Sequence, residues 1–211
     1  HFALEEPNVS DATLRAGFDA LCAHLNASGQ LHDAARKPRV MIMVSKIGHC
    51  LNDLLYRWKI GALNIDIVGV VSNHFDYQKV VVNHDIPFHH IKVTKANKPE
   101  AEAQLMELVE SSGTDLIVLA RYMQVLSEEM CRRMSGRIIN IHHSFLPSFK
   151  GANPYKQAYE RGVKLIGATA HYVTTDLDEG PIIEQAAERV DHRATVEELI
   201  GIGRDIEAQV L

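Results

Sequence analysis

The stretch Arg39-Val-Met-Ile-Met-Val-Ser45 is a short apolar run that is bounded by polar residues. Three more apolar runs follow along the chain, most of them rich in β-branched residues: 65–72, 115–120 and 137–141. Continuous runs of this kind are typical of strands that are buried on both faces of a parallel sheet. We therefore predict that these segments form the centre of one sheet.

Segments with helical spacing lie between the runs. Their apolar positions fall into two sets, which are Leu51, Leu54, Leu55 and Trp58, and then Ala101, Leu105, Leu108 and Val109. Strands that alternate with helices indicate an α/β fold, in which helices flank a mostly parallel sheet with right-handed crossovers. Residues 167–173 alternate in polarity and predict a more exposed strand. We expect a segment that begins at 181–183 to pair with it. Thr195 and Glu198 form a capping-box pattern that opens a last helix.

The amino-terminal part of the sequence differs from the rest. Residues 1–5 have the pattern of the tail of a strand, residues 11–25 predict an amphipathic helix, and residues 28–38 are a polar segment that contains Gly and Pro. We therefore expect a fragment of one domain at 1–27, a linker at 28–38 and a main domain at 39–211. Both ends of the chain look cut.

Composition excludes several classes of protein. The chain has 211 residues, and its 22 basic and 27 acidic side chains give a net charge of −5 without any dense basic stretch. This argues against nucleic acid as the main partner. No apolar run approaches the roughly 20 residues that cross a bilayer. The widely spaced cysteines Cys22, Cys50 and Cys131 fit neither a disulfide framework nor a zinc site, so we expect a reducing cytoplasm.

Polar side chains follow the last apolar run. In an extended segment side chains alternate in direction, so Asn140 and His142 point to the same side while Ile141 points into the core. Ligands of open α/β sheets bind at the carboxyl ends of the strands, where this pair stands. An Asn amide can stabilise an oxyanion, and a His can move protons at neutral pH. Asp178 is the carboxylate that we expect to hold a water molecule and tune the imidazole.

Simpler interpretations exist for each of these residues. A lone His after a strand is more often a hydrogen-bonding loop residue, and the acidic residues of 176–179 form a solvated turn by default. A calcium loop is excluded because it needs ligands where Gly180 and Ala187 stand. His89 and His90 lack the spacing and partners of a zinc site, so we interpret them as loop surface.

Two blocks together resemble a known family. Asn140-Ile-His-His-Ser-Phe-Leu-Pro-Ser-Phe-Lys-Gly151 and His171-Tyr-Val-Thr-Thr-Asp-Leu-Asp-Glu-Gly-Pro181 resemble the signature of the folate-dependent formyltransferases. The Asn, His and Asp of that signature match Asn140, His142 and Asp178. The resemblance covers about residues 39–211. It implies the Rossmann-like formyltransferase fold and 10-formyltetrahydrofolate as a substrate, with neither a metal nor a prosthetic group.

The resemblance also implies a folate pocket. Its lining would come from the segment Ala120-Arg-Tyr-Met-Gln-Val-Leu126 and from one residue of the second block. The residues concerned are Met123, Gln124, Val125, Leu126 and Val173. Without the flanking motifs, the apolar members of this set would be interpreted as plain core. A cis bond between Leu146 and Pro147 is a further implication.

Within the family, the chain resembles the formyltetrahydrofolate deformylases. The transferase that acts on glycinamide ribonucleotide binds a phosphate with a Gly-Ser-Asn turn, where this chain has Gly48-His-Cys50. Arg121 and Gln124 stand where that transferase has Gly and Arg. The resemblance implies that water is the acceptor and that formate is supplied for purine biosynthesis. It also implies that residues 1–27 are a fragment of an ACT-type regulatory domain with an amino-acid effector.

Other functions remain open at this point. A glycinamide ribonucleotide formyltransferase would need its amine acceptor, and a non-catalytic folate-binding module would release no formate. A methionyl-tRNA formyltransferase would need a basic carboxyl-terminal nucleic-acid domain, which this chain does not have. We expect a homo-oligomer, because the elements at both ends lack partners.

Overall fold

The computed structural model describes residues 9–33, 35–146 and 154–211. The strand tail predicted at 1–5 and the 146–147 peptide bond therefore lie outside the described residues. The chain divides into two compact units, residues 1–37 and 38–211. Of the helices within the described residues, none has the length and apolar character needed to cross a membrane.

The first unit contains helix α1 (Asp11–His24). Ser10 caps this helix, because its side chain accepts a hydrogen bond from the backbone N–H of Thr13. Arg15 pairs with Asp11 at 2.7 Å, one turn earlier. No residue of α1 is buried. The predicted helix is confirmed, and its apolar side chains are largely exposed.

The second unit is built on one seven-stranded sheet with the order β3-β2-β1-β4-β5-β6-β7. The strands are β1 (Arg39–Val44), β2 (Asp66–Ser72), β3 (Phe88–His90), β4 (Leu116–Leu119), β5 (Ile138–His142), β6 (Leu165–Tyr172) and β7 (Ile182–Arg189). Strands β1 to β5 are parallel, while β6 runs antiparallel to both β5 and β7. The predicted α/β fold with a mostly parallel sheet is confirmed.

Helices cover both faces of the sheet. They are α2 (His49–Lys59), α3 (Gln78–Val82), α4 (Lys98–Ser111), α5 (Glu128–Arg133), α6 (Pro154–Glu160) and α7 (Val196–Val210). A first core layer packs α2, α6 and α7 against the sheet, and a second core layer packs α4 and α5 against its other face. Strand β1 feeds both layers: Val40 and Ile42 point into the first layer, and Met41 and Met43 point into the second.

Three short elements were not predicted, and two interpretations were wrong. β3, α3 and α5 have three, five and six residues, which is too short for a clear periodicity. His89 and His90 belong to β3 and not to a loop, and the His90 ring stacks on Phe75 at 3.7 Å. Strand β6 is buried along most of its length because β7 covers its edge, so β7 is the exposed strand.

Helix α7 contacts α6 through a glycine. A Cβ atom added at Gly203 would lie 2.1 Å from Cζ of Tyr155, so the Tyr155 ring rests directly on the α7 backbone. Gly201, one half-turn earlier on the same helix, has no atom within 4 Å of its added Cβ. Gly201 and Gly203 therefore lie on the same helix but differ in the space that is available for a Cβ atom.

We expect Gly203→Ala to lower the free energy of unfolding by about 1–3 kcal/mol, because the methyl group must displace Tyr155. Gly201→Ala is the matched control and should raise it by about 0.5–1 kcal/mol through helix propensity. Urea denaturation of both variants measures the difference. Equal effects of the two substitutions would contradict the close approach of Tyr155 and α7.

Candidate active site

The loop after β4 is fixed to the end of β1 by Ser45. Its hydroxyl donates to Asn73 at 2.7 Å and accepts the backbone N–H of Met123 at 3.0 Å, while its own N–H donates to the carbonyl of Arg121. Ser45 is itself 3% exposed. The segment 121–126 thus lies at the carboxyl edge of the parallel strands, where ligands of α/β sheets bind.

Strands β5 and β6 bring a second set of polar residues to the same edge. Asn140 on β5 pairs with His171 on β6, and His142 ends β5. The chain then turns back through residues 174–180, and the N–H of Tyr172 donates to the carbonyl of Pro181. Gly180 permits this turn, because an added Cβ would lie 1.7 Å from the Tyr172 carbonyl oxygen. The turn carries Asp178 to the site in a left-handed conformation, with φ of 57°.

The predicted Asn, His and Asp residues lie together. Nδ1 of His142 is 3.4 Å from Oδ2 of Asp178, and both side chains are largely buried. Nε2 of His142 is buried and has no hydrogen-bond partner among the residues that the structure describes. The imidazole is thus oriented through Nδ1, while Nε2 is left for a ligand.

A fourth side chain, His171, joins this set. Its Nδ1 is 3.0 Å from the carbonyl oxygen of Tyr172, which can only accept, so Nδ1 carries the proton. Burial lowers the pKa of His171, although the Tyr172 carbonyl and Asp178 oppose this, and the ring is neutral at neutral pH. Nε2 is then an acceptor, and it receives a hydrogen bond from Nδ2 of Asn140 at 3.2 Å.

This contact fixes the Asn140 amide. One N–H of the amide is held by His171, and among the described residues no other partner of the amide nitrogen is found. His171 opens the second signature block, but no sequence pattern assigns it a role. The pairing of Asn140 with His171 depends on the register of two antiparallel strands, which the two blocks do not specify by themselves.

The charges of the site follow from these contacts. The hydrogen-bonding contact with His142 lowers the pKa of Asp178 despite its burial, so the carboxyl group is ionised at neutral pH. The neighbouring His143 is kept neutral, because burial and the nearby Arg121 guanidinium lower its pKa to about 4. The candidate catalytic groups thus comprise one carboxylate, one oriented imidazole and one oriented amide.

A cavity of about 240 Å³ opens beside these groups. Asn140, His142 and Asp178 line it, and so do all the residues predicted for a folate pocket: the apolar Met123, Val125, Leu126 and Val173, and the polar Gln124. Met123 and Val125 are 55% and 58% exposed, so they are not core residues. Leu126 and Val173 are partly buried and pack on the second core layer. The cavity therefore has an apolar wall and a polar end.

A buried ion-pair network adjoins the polar end. Glu207 of α7 is 1% exposed and accepts hydrogen bonds from His49 Nε2 at 2.9 Å and from the Tyr155 hydroxyl at 2.7 Å. Its Oε2 is also 3.3 Å from Nε of Arg121, which lines the cavity. Burial alone would raise the pKa of Glu207, but His49, Arg121 and Tyr155 outweigh it and lower the pKa.

The same network contains a set of potential metal ligands. Within the described part of the chain, one potential ligand atom from each of His49, Cys50 and Glu207 lies within 4.8 Å of the others. Burial raises the pKa of the Cys50 thiol to about 12, and the Arg121 guanidinium would repel a cation. The Glu207 carboxylate already has three donors around it. This group is therefore an ion-pair network and not a fitting metal site.

Comparison with known proteins agrees with this geometry. The family model for the formyl transferase domain matches residues 38–211. A formyltetrahydrofolate deformylase of Corynebacterium sp. (strain P-1) is 53% identical over 205 residues, which cover 97% of this chain and 71% of that protein. One from Bacillus subtilis is 52% identical over 200 residues, which cover 95% of this chain and 67% of that protein.

A solved structure gives the same result. The crystal structure of a formyltetrahydrofolate deformylase from Burkholderia mallei superposes with a TM-score of 0.91 at 53% identity, over 97% of this chain and 73% of that one. A phosphoribosylglycinamide formyltransferase from Anaplasma phagocytophilum reaches a TM-score of 0.75 at 34% identity, over 82% and 83% of the two chains. The chain therefore belongs to the formyl transferase family, and within it to the formyltetrahydrofolate deformylases.

Proposed function

We propose that this site hydrolyses 10-formyltetrahydrofolate to formate and tetrahydrofolate, with water as the acceptor. One observation carries the proposal: Asn140, His142 and Asp178 meet at the polar end of a cavity whose other wall is apolar. The apolar wall suits the pteridine ring, and the polar end suits a formyl group. The names of the relatives at 46–53% identity support the same reaction.

In this proposal Asn140 binds the formyl oxygen. The carbonyl oxygen gains negative charge when water adds to the formyl carbon, and the free N–H of the Asn140 amide donates to it. A single donor of this kind lowers a barrier by roughly 3–4 kcal/mol in other enzymes. The hydrogen bond to His171 holds the amide in place beforehand, so no reorganisation is needed during the reaction.

His142 and Asp178 handle the water and its protons. The ionised Asp178 carboxylate accepts a hydrogen bond from the attacking water, and His142 moves protons through its unpartnered Nε2. The water oxygen forms a bond to the formyl carbon, and the bond between that carbon and N10 breaks. N10 receives a proton and leaves as tetrahydrofolate, while formic acid loses its proton and leaves as formate.

Several wider assignments belong to the proposal. The formate supplies purine biosynthesis and balances the folate pool, and the enzyme acts in the cytoplasm as a homo-oligomer without a metal or a prosthetic group. Residues 1–27 belong to an ACT-type regulatory domain that binds an amino-acid effector. These assignments stay predictions that rest on the resemblance described above.

A glycinamide ribonucleotide formyltransferase is the second candidate, because such proteins share the fold at 30–34% identity. An assay for formate and tetrahydrofolate, with and without glycinamide ribonucleotide, separates the two functions. We expect formate release without any amine. Formyl transfer that requires the amine would establish the transferase, and binding without either product would leave a folate-binding protein.

We expect Asp178→Asn to reduce kcat by at least about a hundredfold, because the amide removes the negative charge that holds the water and orients His142. Asp176→Asn changes an exposed carboxylate in the same turn and is the matched control. Steady-state assays of formate release give kcat for both variants. If Asp178→Asn were as active as Asp176→Asn, Asp178 would have no part in the mechanism.

The role of His171 is separable from simple packing. His171→Phe keeps a ring but removes the acceptor, so the Asn140 amide loses its orientation, and we expect kcat to fall by about tenfold or more with little change in KM. His171→Gln retains an oxygen acceptor and should keep more of the activity. The ratio of kcat between these variants is the readout. Equal losses, or a loss confined to KM, would exclude the orienting role.

A further inference from the structure

We infer that Arg121 is the binding site for the formate product, an inference that rests on the function proposed above. Arg121 is 9% exposed and lines the same cavity as Asn140, His142 and Asp178. Its Nε and Nη1 atoms are both buried, and neither has a hydrogen-bond partner among the described residues. A buried guanidinium with an unused donor facing a cavity is expected to bind an anion there.

The backbone at Arg121 is held in an unusual conformation. Its φ is 67°, in the left-handed region that a residue with a side chain seldom adopts. The Ser45 N–H holds the Arg121 carbonyl, and the N–H of Ala120 donates to the carbonyl of Met43. Such a conformation costs roughly 1–3 kcal/mol and persists where the surroundings enforce it.

The position of Arg121 relative to the folate pocket determines which ligand its guanidinium can bind. Leu126 and Val173, on the apolar wall, pack on the second core layer. The side chain of Arg121 pairs instead with Glu207 of α7. The Glu207 carboxylate also binds His49 of α2 and Tyr155 of α6, and these three helices pack on the other face of the sheet. The guanidinium therefore pairs with a helix of the first core layer, whereas Leu126 and Val173 pack on the second. Formate can bind there while tetrahydrofolate still occupies the apolar wall.

The charge around Arg121 permits weak anion binding. Glu207 is its only carboxylate partner within the described residues, and that carboxylate also accepts from His49 and Tyr155. Nε of Arg121 lies 3.3 Å from Oε2 of Glu207 but makes no hydrogen bond to it, so Nε and Nη1 both lack hydrogen-bond partners among the described residues. Formate is small, planar and negatively charged, and its two oxygens match the donors of a guanidinium. Asp178 and Glu207 both repel it, which favours its release after each turnover.

The experiment titrates the protein with ¹³C-labelled formate at constant ionic strength, set with chloride, and follows the formate resonance by NMR. We expect Arg121→Gln to raise the Kd for formate by about tenfold, the usual effect of losing a charge-assisted contact. We expect Glu207→Gln to lower the Kd, because it removes the neighbouring negative charge and leaves Arg121 in place. The two substitutions thus act in opposite directions.

Opposite shifts separate a binding role from a structural one. If Arg121 only supported the fold, both substitutions would break the same network and both would weaken formate binding, which would overturn the inference. No formate binding by the unaltered protein would also overturn it. A parallel titration with tetrahydrofolate tests whether Arg121 binds the carboxylates of the folate instead of formate. A higher Kd for tetrahydrofolate in Arg121→Gln would show that it does, and this would overturn the inference.

The titration needs no turnover, so it is independent of the proposed function. The protein could bind formate with the opposite shifts in Kd and yet release no formate from 10-formyltetrahydrofolate. That result would overturn the proposed reaction, and formate would then not be its product. Hydrolysis without formate binding would overturn the inference alone. Unfolding curves of both variants establish that each is folded during the titration.

Discussion

The buried carboxylate of Glu207 is the constraint on which the arrangement around the site depends. It is a single negative charge with almost no exposure, and such a charge is stable in a protein interior only when it is paired and hydrogen-bonded. Its partners come from three separate parts of the chain, namely His49 at the start of α2, Tyr155 on α6 and Arg121 after β4. One side chain of α7 therefore links α2 and α6 to Arg121, which lines the cavity.

Removing one partner from this network would be more costly than its net stabilisation suggests. A buried ion pair adds little to the free energy of unfolding when it is compared with apolar packing. Removing one partner, however, lowers the free energy of unfolding by about 3–5 kcal/mol, because the other charge stays buried and unpaired. The network therefore specifies an arrangement more than it stabilises the fold. The contact between Tyr155 and Gly203 has the same effect, because the ring can reach Glu207 only if the α7 backbone approaches it closely.

The sequence predicted the buried strands and the long helices because their signals are local. An apolar run such as 39–45 can be recognised without knowing its neighbours, and so can the capping box of Thr195 and Glu198, which the structure contains. Strand β3 and helix α5 carry too few residues for such a signal. The burial of β6 was missed because it depends on β7, which covers the edge of β6 through pairing distant in sequence.

The residues of the candidate site also fall into two groups, those with a local sequence signal and those without one. Asn140 and His142 are two residues apart on one strand, so their common direction follows from strand geometry alone. His171, Arg121 and Glu207 enter through strand register, a left-handed backbone and helix packing, none of which has a local pattern. Asn140, His142 and Asp178 are the part of the candidate site that the sequence makes recognisable. The place of Arg121 beside them on the cavity depends on its pairing with the buried Glu207, and no short motif encodes that pairing.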